Sequence, residues 1–235
     1  LQITAGQYTE ADDSLKQLSH RKLRSELALR LESKVAVETK DWQHLQAIIP
    51  QLRKQKILTE AKIEGLEEKV YIQQLQDSRS DIEQVQKLWS DFPRLWRQDT
   101  GLLNLYIEIL LQHKKFDDAA PLLEAAINLN WDQRLLRLYG HLETKDPKRQ
   151  LKQAEKWLKA HPKDDQLLLT LARLSFGLKL WGACKDYCED SIALKPSAES
   201  YQLLGATLEE LDQPDVAMEC YRKGLQLDNP LQNFN

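Results

Sequence analysis

The sequence predicts an all-α protein, a right-handed α-solenoid of antiparallel helical hairpins, and three observations carry that prediction. Four stretches repeat the same residue types at a spacing of 32 to 34 residues. Apolar positions recur at helical spacing, and no stretch alternates with the period of two that a half-buried strand requires. Glycine and proline number only 8 each in 235 residues, and 29% of the chain is charged, so apolar stripes alternate with solvated faces. A repeat of this length describes a supersecondary unit that cannot bury its apolar face alone and must stack on its neighbours. One continuous solenoid of on the order of twelve helices is therefore expected rather than two compact domains.

In chain order, Gly6 through Ala11 reads as a turn and the start of a second helix whose first helix is missing. Positions 23, 27, 31 and 35 then form an apolar helical stripe across residues 22 to 39. Asp41-Trp42 opens the next second helix, with Leu45, Ile49 and Leu52 on its buried face, and Ala11 to Leu45 is again 34 residues. Thr59 opens a helix over 59–76, Ser80-Asp81 caps another through Trp89, and Pro93 breaks it. These damaged hairpins make up an N-terminal region, 1–97. Region 98–230 holds the four clearer copies, and 231–235 is a tail.

The first clear copy runs Leu103, Tyr106, Ile107, then Ala119, Leu123 and Ala126. The second runs Leu136, Tyr139, Gly140, then Ala154 and Leu158, closing at His161-Pro162. The third runs Leu168, Leu171, Ala172, then Cys184, Cys188 and Ser191, with Pro196. The fourth runs Tyr201, Leu204, Gly205, Leu208, then Ala217, Tyr221, Gly224 and Pro230. Ile107, Gly140, Ala172 and Gly205 are 33, 32 and 33 residues apart and stand where the two helices of a hairpin are expected to cross. A small side chain there lets the backbones approach, a large residue fills the space beside the crossing, and a proline ends the second helix. This is the tetratricopeptide pattern.

The net charge of −3 is unevenly spread. Residues 133–163 hold nine Lys or Arg against three acids, whereas 198–228 hold two basic residues against seven acids. Such polarity suits an oriented binding surface, although solvated helix faces also account for it. The basic stretch has no interleaved aromatics, which speaks against nucleic acid. Cys184, Cys188 and Cys220 fall at packing positions and read as core thiols in a reducing compartment, with no companion His or Cys at zinc spacing. Of the histidines, His113 and His161 stand near helix ends, and His44 is expected to face solvent beside Trp42. The six tryptophans read as packing between hairpins, with Trp89 and Trp96 the two placed to line a partner groove. No transmembrane run or signal peptide is found. The chain opens at Leu1 in mid-repeat and reads as a piece of a longer protein.

No nucleophile elbow, phosphate loop, dinucleotide fingerprint or metal-binding helix motif is present, so no catalytic residue or metal ligand is assigned. The surface remains. First helices line the inner face of such hairpin stacks, and inward positions lie six before, three before, one after and four after the crossing residue. That selects Asn104 and Glu108, then Arg134, Arg137, His141 and Thr144, then Gln166, Leu169, Arg173 and Phe176, then Glu199, Gln202, Ala206 and Glu209. The candidate partner-binding residues are Asn104, Arg134, Arg137, His141, Arg173 and Phe176. The three arginines are expected to form one patch, because guanidinium groups on a rigid scaffold bind carboxylates in a bidentate way.

Three motifs go beyond the generic repeat. Asp41-Trp42-Gln43 runs into Ile48-Ile49-Pro50-Gln51-Leu52-Arg53-Lys54. Leu88-Trp89 precedes Pro93. Gln150-Leu151 runs through Ala154-Glu155-Lys156-Trp157-Leu158 to His161-Pro162 and Leu167-Leu168-Leu169. In this order they resemble the HemY family, over most of the chain from about Gly6 to Leu227. The resemblance implies two N-terminal membrane helices ahead of a tetratricopeptide region, association with haem-biosynthesis genes in proteobacteria, and a late step of protohaem synthesis. It implies the bacterial inner membrane, with this region facing the cytoplasm, and no catalytic residue to carry over. The expected role is a non-catalytic scaffold binding partner proteins, late haem-pathway enzymes among them. No cofactor is expected, with porphyrin or haem as the ligand to test. The competing class is an assembly adaptor unconnected to haem.

Overall fold

A computed structural model describes residues 26–228. The turn assigned to Gly6–Ala11, position Leu23 of the first stripe, Pro230 and the tail 231–235 lie outside the described residues. Within them the chain is all-α, with thirteen helices and no strand. They are α1 (Glu26–Glu38), α2 (Trp42–Lys54), α3 (Glu60–Asp77), α4 (Ile82–Asp91), α5 (Arg94–Arg97), α6 (Thr100–Gln112) and α7 (Phe116–Leu129). There follow α8 (Gln133–Gly140), α9 (Pro147–Ala160), α10 (Asp165–Gly177), α11 (Trp181–Leu194), α12 (Ala198–Glu210) and α13 (Pro214–Asp228).

Helix starts are written in the sequence by short acceptors. Asp41, Asp81, Asp99, Asp132, Asp146 and Asp164 each accept a hydrogen bond from a main-chain N–H two or three residues on, and Ser197 forms a capping box with Ser200. The exits have no such signal. Lys40, Lys56, Lys114, Lys179 and Asp212 adopt left-handed backbone with φ between 54 and 58°. After Lys179 and Asp212 the next N–H reaches back to Ser175 O and Leu208 O, both at 2.9 Å, closing the helix as a Schellman turn.

The chain divides into two compact units between His113 and Lys114. In the first, α1 packs on α2, α2 on α3, and α3 on α4 and α6. Its core is Leu29, Ala36, Leu45, Ile48, Leu52, Ile63 and Val70. Burying each Leu or Ile contributes roughly 1.5–3 kcal/mol. The expected stripe at 27, 31 and 35 is rotated. Val35 is buried as expected, but Leu27 is 65% exposed and Leu31 only half-buried, and α1 also buries Leu29, Ser33 and Ala36, where small residues admit α2 closely. Trp89 and Trp96 are core residues rather than groove residues. Trp89 stacks on Tyr106 with ring centres 4.2 Å apart, and Trp96 meets Tyr71. His44 does not face open solvent, since its Nε2 lies 3.7 Å from Oε2 of the buried Glu32.

In the second unit α7 packs on α8, α9 on α10, α10 on α11, α11 on α12 and α12 on α13. The first helices α8, α10 and α12 also pack in a row, α8 on α10 and α10 on α12. Ala172, Cys184, Cys188, Leu204, Leu208 and Ala217 form one core, so these six register positions of the last two repeats point inward, whereas Pro196 is exposed. Gly205 stands at a true crossing. A Cβ added there would lie 2.5 Å from the Tyr221 ring of α13. Gly140 does not. It is half-buried, and its neighbour is Thr170 of α10 at 3.2 Å rather than its own second helix. The reason is local, because α8 ends at Gly140 and residues 141–146 form a loop before α9.

Candidate protein-interaction face

The row α8, α10, α12 brings three of the sequence-selected residues onto one carboxylate. Glu199 lies in the first turn of α12, where the positive end of the helix dipole favours an acid. Arg137 of α8 places Nη2 3.4 Å from Glu199 Oε2, and His141 at the end of α8 places Nε2 3.6 Å from Oε1. Arg173 of α10 is in direct ionic contact with the same Oε1.

These groups differ sharply in burial. The Arg173 side chain is only 9% exposed, against 59% for Arg137 and 33% for Glu199. Arg173 Nη1 is buried with no hydrogen-bond partner among the described residues. Burial lowers the Arg173 pKa from its ordinary value, an effect the Glu199 carboxylate opposes. Burial likewise lowers the pKa of His141, helped by the neighbouring Arg173 and Arg137 charges and opposed by Glu199. At neutral pH the positive charge of the cluster therefore rests on the two arginines.

Arg173 and His141 also line an open cavity of about 430 Å³. Its apolar walls include Leu174, Phe176 and Leu203, and Gln150 adds a polar group. Phe176 is fixed edge-on against Trp181, with ring centres 5.0 Å apart. Gln150 is held from behind, donating to Tyr139 O at 2.6 Å and accepting from Thr144 Oγ1 at 2.9 Å.

The other selected residues go elsewhere. Arg134 is gripped by Asp132, the cap of its own helix, through Nη2 at 2.7 Å from Oδ2, and its side chain is 88% exposed. That pairing lowers the Asp132 pKa, chiefly through the Arg134 side-chain hydrogen bond. Asn104 is exposed on α6 in the first unit. Leu169 is buried, Thr144 belongs to the loop after α8, and Glu209 accepts from the Tyr221 hydroxyl at 2.9 Å. The inward count missed Leu174 and Leu203, which carry no signal beyond being apolar, and Gln150, which stands on the second helix α9 that the count does not cover. All three cysteines are buried and unpaired by disulfide, and Cys184 Sγ lies 3.0 Å from Thr207 Oγ1. Among the described residues no cluster of His, Cys, Asp or Glu is arranged to hold a metal ion, and no helix is long and apolar enough to cross a membrane.

A tetratricopeptide repeat family model matches residues 198–230, the α12–α13 hairpin with its Gly205 crossing. In the fold comparison, MamA 41-end from Desulfovibrio magneticus RS-1 superposes with a TM-score of 0.51 at 18% identity, over 72% of this chain and 97% of that one. In sequence the chain is 27% identical over 213 residues to Protein HemY of Escherichia coli K12, and equally to Protein HemY of Shigella flexneri. That alignment takes in 87% of this chain, which spans about half, 52%, of the curated relatives it matches. The chain therefore carries a tetratricopeptide hairpin at 198–230 within an all-helical fold of the tetratricopeptide type, and it is HemY-like in sequence.

Proposed function

We propose that this chain is a non-catalytic docking scaffold. It binds partner proteins on the α8, α10, α12 face and, as the resemblance to HemY implies, gathers late haem-pathway enzymes at the bacterial inner membrane. The observation that carries the docking role is the convergence of Arg137, His141 and Arg173 from successive first helices on Glu199, beside an open cavity that His141 and Arg173 line. Helices packed in a row hold side chains from successive repeats in fixed register, so a partner can be recognised along the row without a catalytic centre. The haem assignment is supported by the HemY similarity over most of the chain.

The test is capture. The immobilised protein is offered purified ferrochelatase and a protoporphyrinogen-oxidising enzyme. Retention of at least one is expected, and the double substitution Arg137→Ala, Arg173→Ala should weaken it by about 1.5–3 kcal/mol. Retention of neither enzyme removes the haem assignment and leaves an adaptor for other complexes. A porphyrin titration followed by tryptophan quenching separates docking from direct porphyrin handling. Saturable quenching would add porphyrin to the ligands of this face.

A further inference from the structure

We infer that Glu199 is a resident stand-in for a partner's carboxylate. In this inference the cleft binds an acidic peptide segment by exchanging Glu199 for that carboxylate on Arg137 and Arg173, with an adjacent apolar side chain entering the 430 Å³ cavity. The inference rests on the docking reading and specifies what the face takes.

Three observations point the same way. First, a guanidinium that is nine-tenths buried normally satisfies its donors, yet Arg173 Nη1 has no hydrogen-bond partner among the described residues. Glu199 gives Arg173 an ionic contact and leaves Nη1 buried and unsatisfied. Second, the occupant is tied closely to Arg173 alone and is otherwise only partly enclosed. The Glu199 side chain is 33% exposed, and Arg137 and His141 approach it at 3.4 and 3.6 Å, longer than a good charged hydrogen bond. It can swing to water while the first turn of α12 still favours its charge. Third, the cavity beside Arg173 is walled by Leu174, Phe176 and Leu203, so an incoming carboxylate gains contact area that Glu199 cannot supply. Gln166 Nε2, seven residues before Arg173 on the same helix, is a second buried donor with no hydrogen-bond partner among the described residues.

The carboxylate could belong to a Glu or Asp side chain or to a chain terminus, and two probes separate these sources. One is a fluorescein-labelled hexapeptide ending in leucine with a free carboxylate. The other carries an internal Glu-Leu pair and an amidated end, with Gln-Leu as its neutral control. Binding is read by fluorescence anisotropy at low salt. At least one acidic probe should bind Glu199→Gln about fivefold or more tightly than the unaltered protein, because the internal competitor is gone. It should lose most of its affinity for Arg173→Gln and part of it for the exposed Arg137→Gln, with unchanged circular dichroism. Equal affinity for Glu199→Gln and the unaltered protein, or equal binding of the Gln-Leu control, overturns the inference. Capture of a haem enzyme that ignores Glu199→Gln and Arg173→Gln overturns it while leaving the docking reading in place. Failed capture with tight acidic-probe binding does the reverse.

Discussion

Arg173 keeps its charge in a setting that depresses the pKa of a guanidinium, and Glu199 is the counter-charge that makes this tolerable. His141 reports on the balance. Its pKa is lowered by burial and by the arginines and raised by Glu199. Its proton resonances should therefore titrate below about 6.5, the value for an unperturbed histidine. Glu199→Gln should push the midpoint lower still, and Arg173→Gln should raise it. A midpoint at or above that of free histidine would contradict the geometry. The sign for stability follows. Between its folded and unfolded pKa values the unfolded chain binds the extra proton, so the contribution of His141 is complete above about 6.5 and is lost as pH falls through the folded pKa. Gly205 gives a second expectation. A methyl group there would sit 2.5 Å from the Tyr221 ring, so Gly205→Ala should cost roughly 1–3 kcal/mol in urea denaturation. The cost should shrink in a Tyr221→Ala background. An equal cost in both backgrounds would place the strain elsewhere. At this scale the register alone located Arg137, His141 and Arg173. It misplaced Arg134, because counting along a helix gives every position equal standing while the carboxylate of Asp132, two residues away, takes the guanidinium first. It could not show that Glu199 would sit between the arginines, since that requires the packing of α12 on α10.

Most helix starts were legible because an Asp or Ser acceptor, or Pro93, marks them chemically, whereas α3, α7 and α11 start after Thr59, Lys115 and Leu180 with no side-chain cap. Helix ends were not. A glycine is the ordinary sign of a left-handed exit, and here four lysines and an aspartate take that backbone instead. The end of α8 at Gly140 was equally hidden, and it moved His141 and Thr144 off the helix on which the register had placed them. His141 still reaches Glu199, from the capping position. The lysine exits carry a cost that can be measured. Left-handed backbone is strained for any residue with a Cβ, and the side chain of an exposed lysine packs on little that would offset it. Lys179 is exposed with φ 58° in the turn between α10 and α11. Lys179→Gly should therefore raise stability by about 0.5–1 kcal/mol in a urea titration. A loss of stability would mean that the lysine side chain supports the turn in a way its exposure does not suggest.

At the scale of the molecule, the 32-to-34-residue register made the hairpin architecture readable, and the family match to 198–230 falls on the copy that fits it best. The division between His113 and Lys114 was not readable, because the copy from Leu103 to Ala126 runs across it without a break in pattern. Stacked hairpins contact mainly their neighbours, so their stability is close to a sum of local terms and neighbour interfaces. Damage should accordingly stay near its origin. In the second unit α13 packs on α12, α12 on α11 and α10, and α8 packs on α10. Gly205→Leu drives a bulky side chain into the Tyr221 ring at the α12–α13 crossing. Amide hydrogen exchange should then accelerate most in α12 and α13, less in α11 and α10, and little in α8 and α9. A uniform acceleration from α7 to α13 would show that the unit unfolds as one cooperative block. In that case the carboxylate cleft would share the fate of the last hairpin, instead of keeping its α8 and α10 walls while α12 loosens.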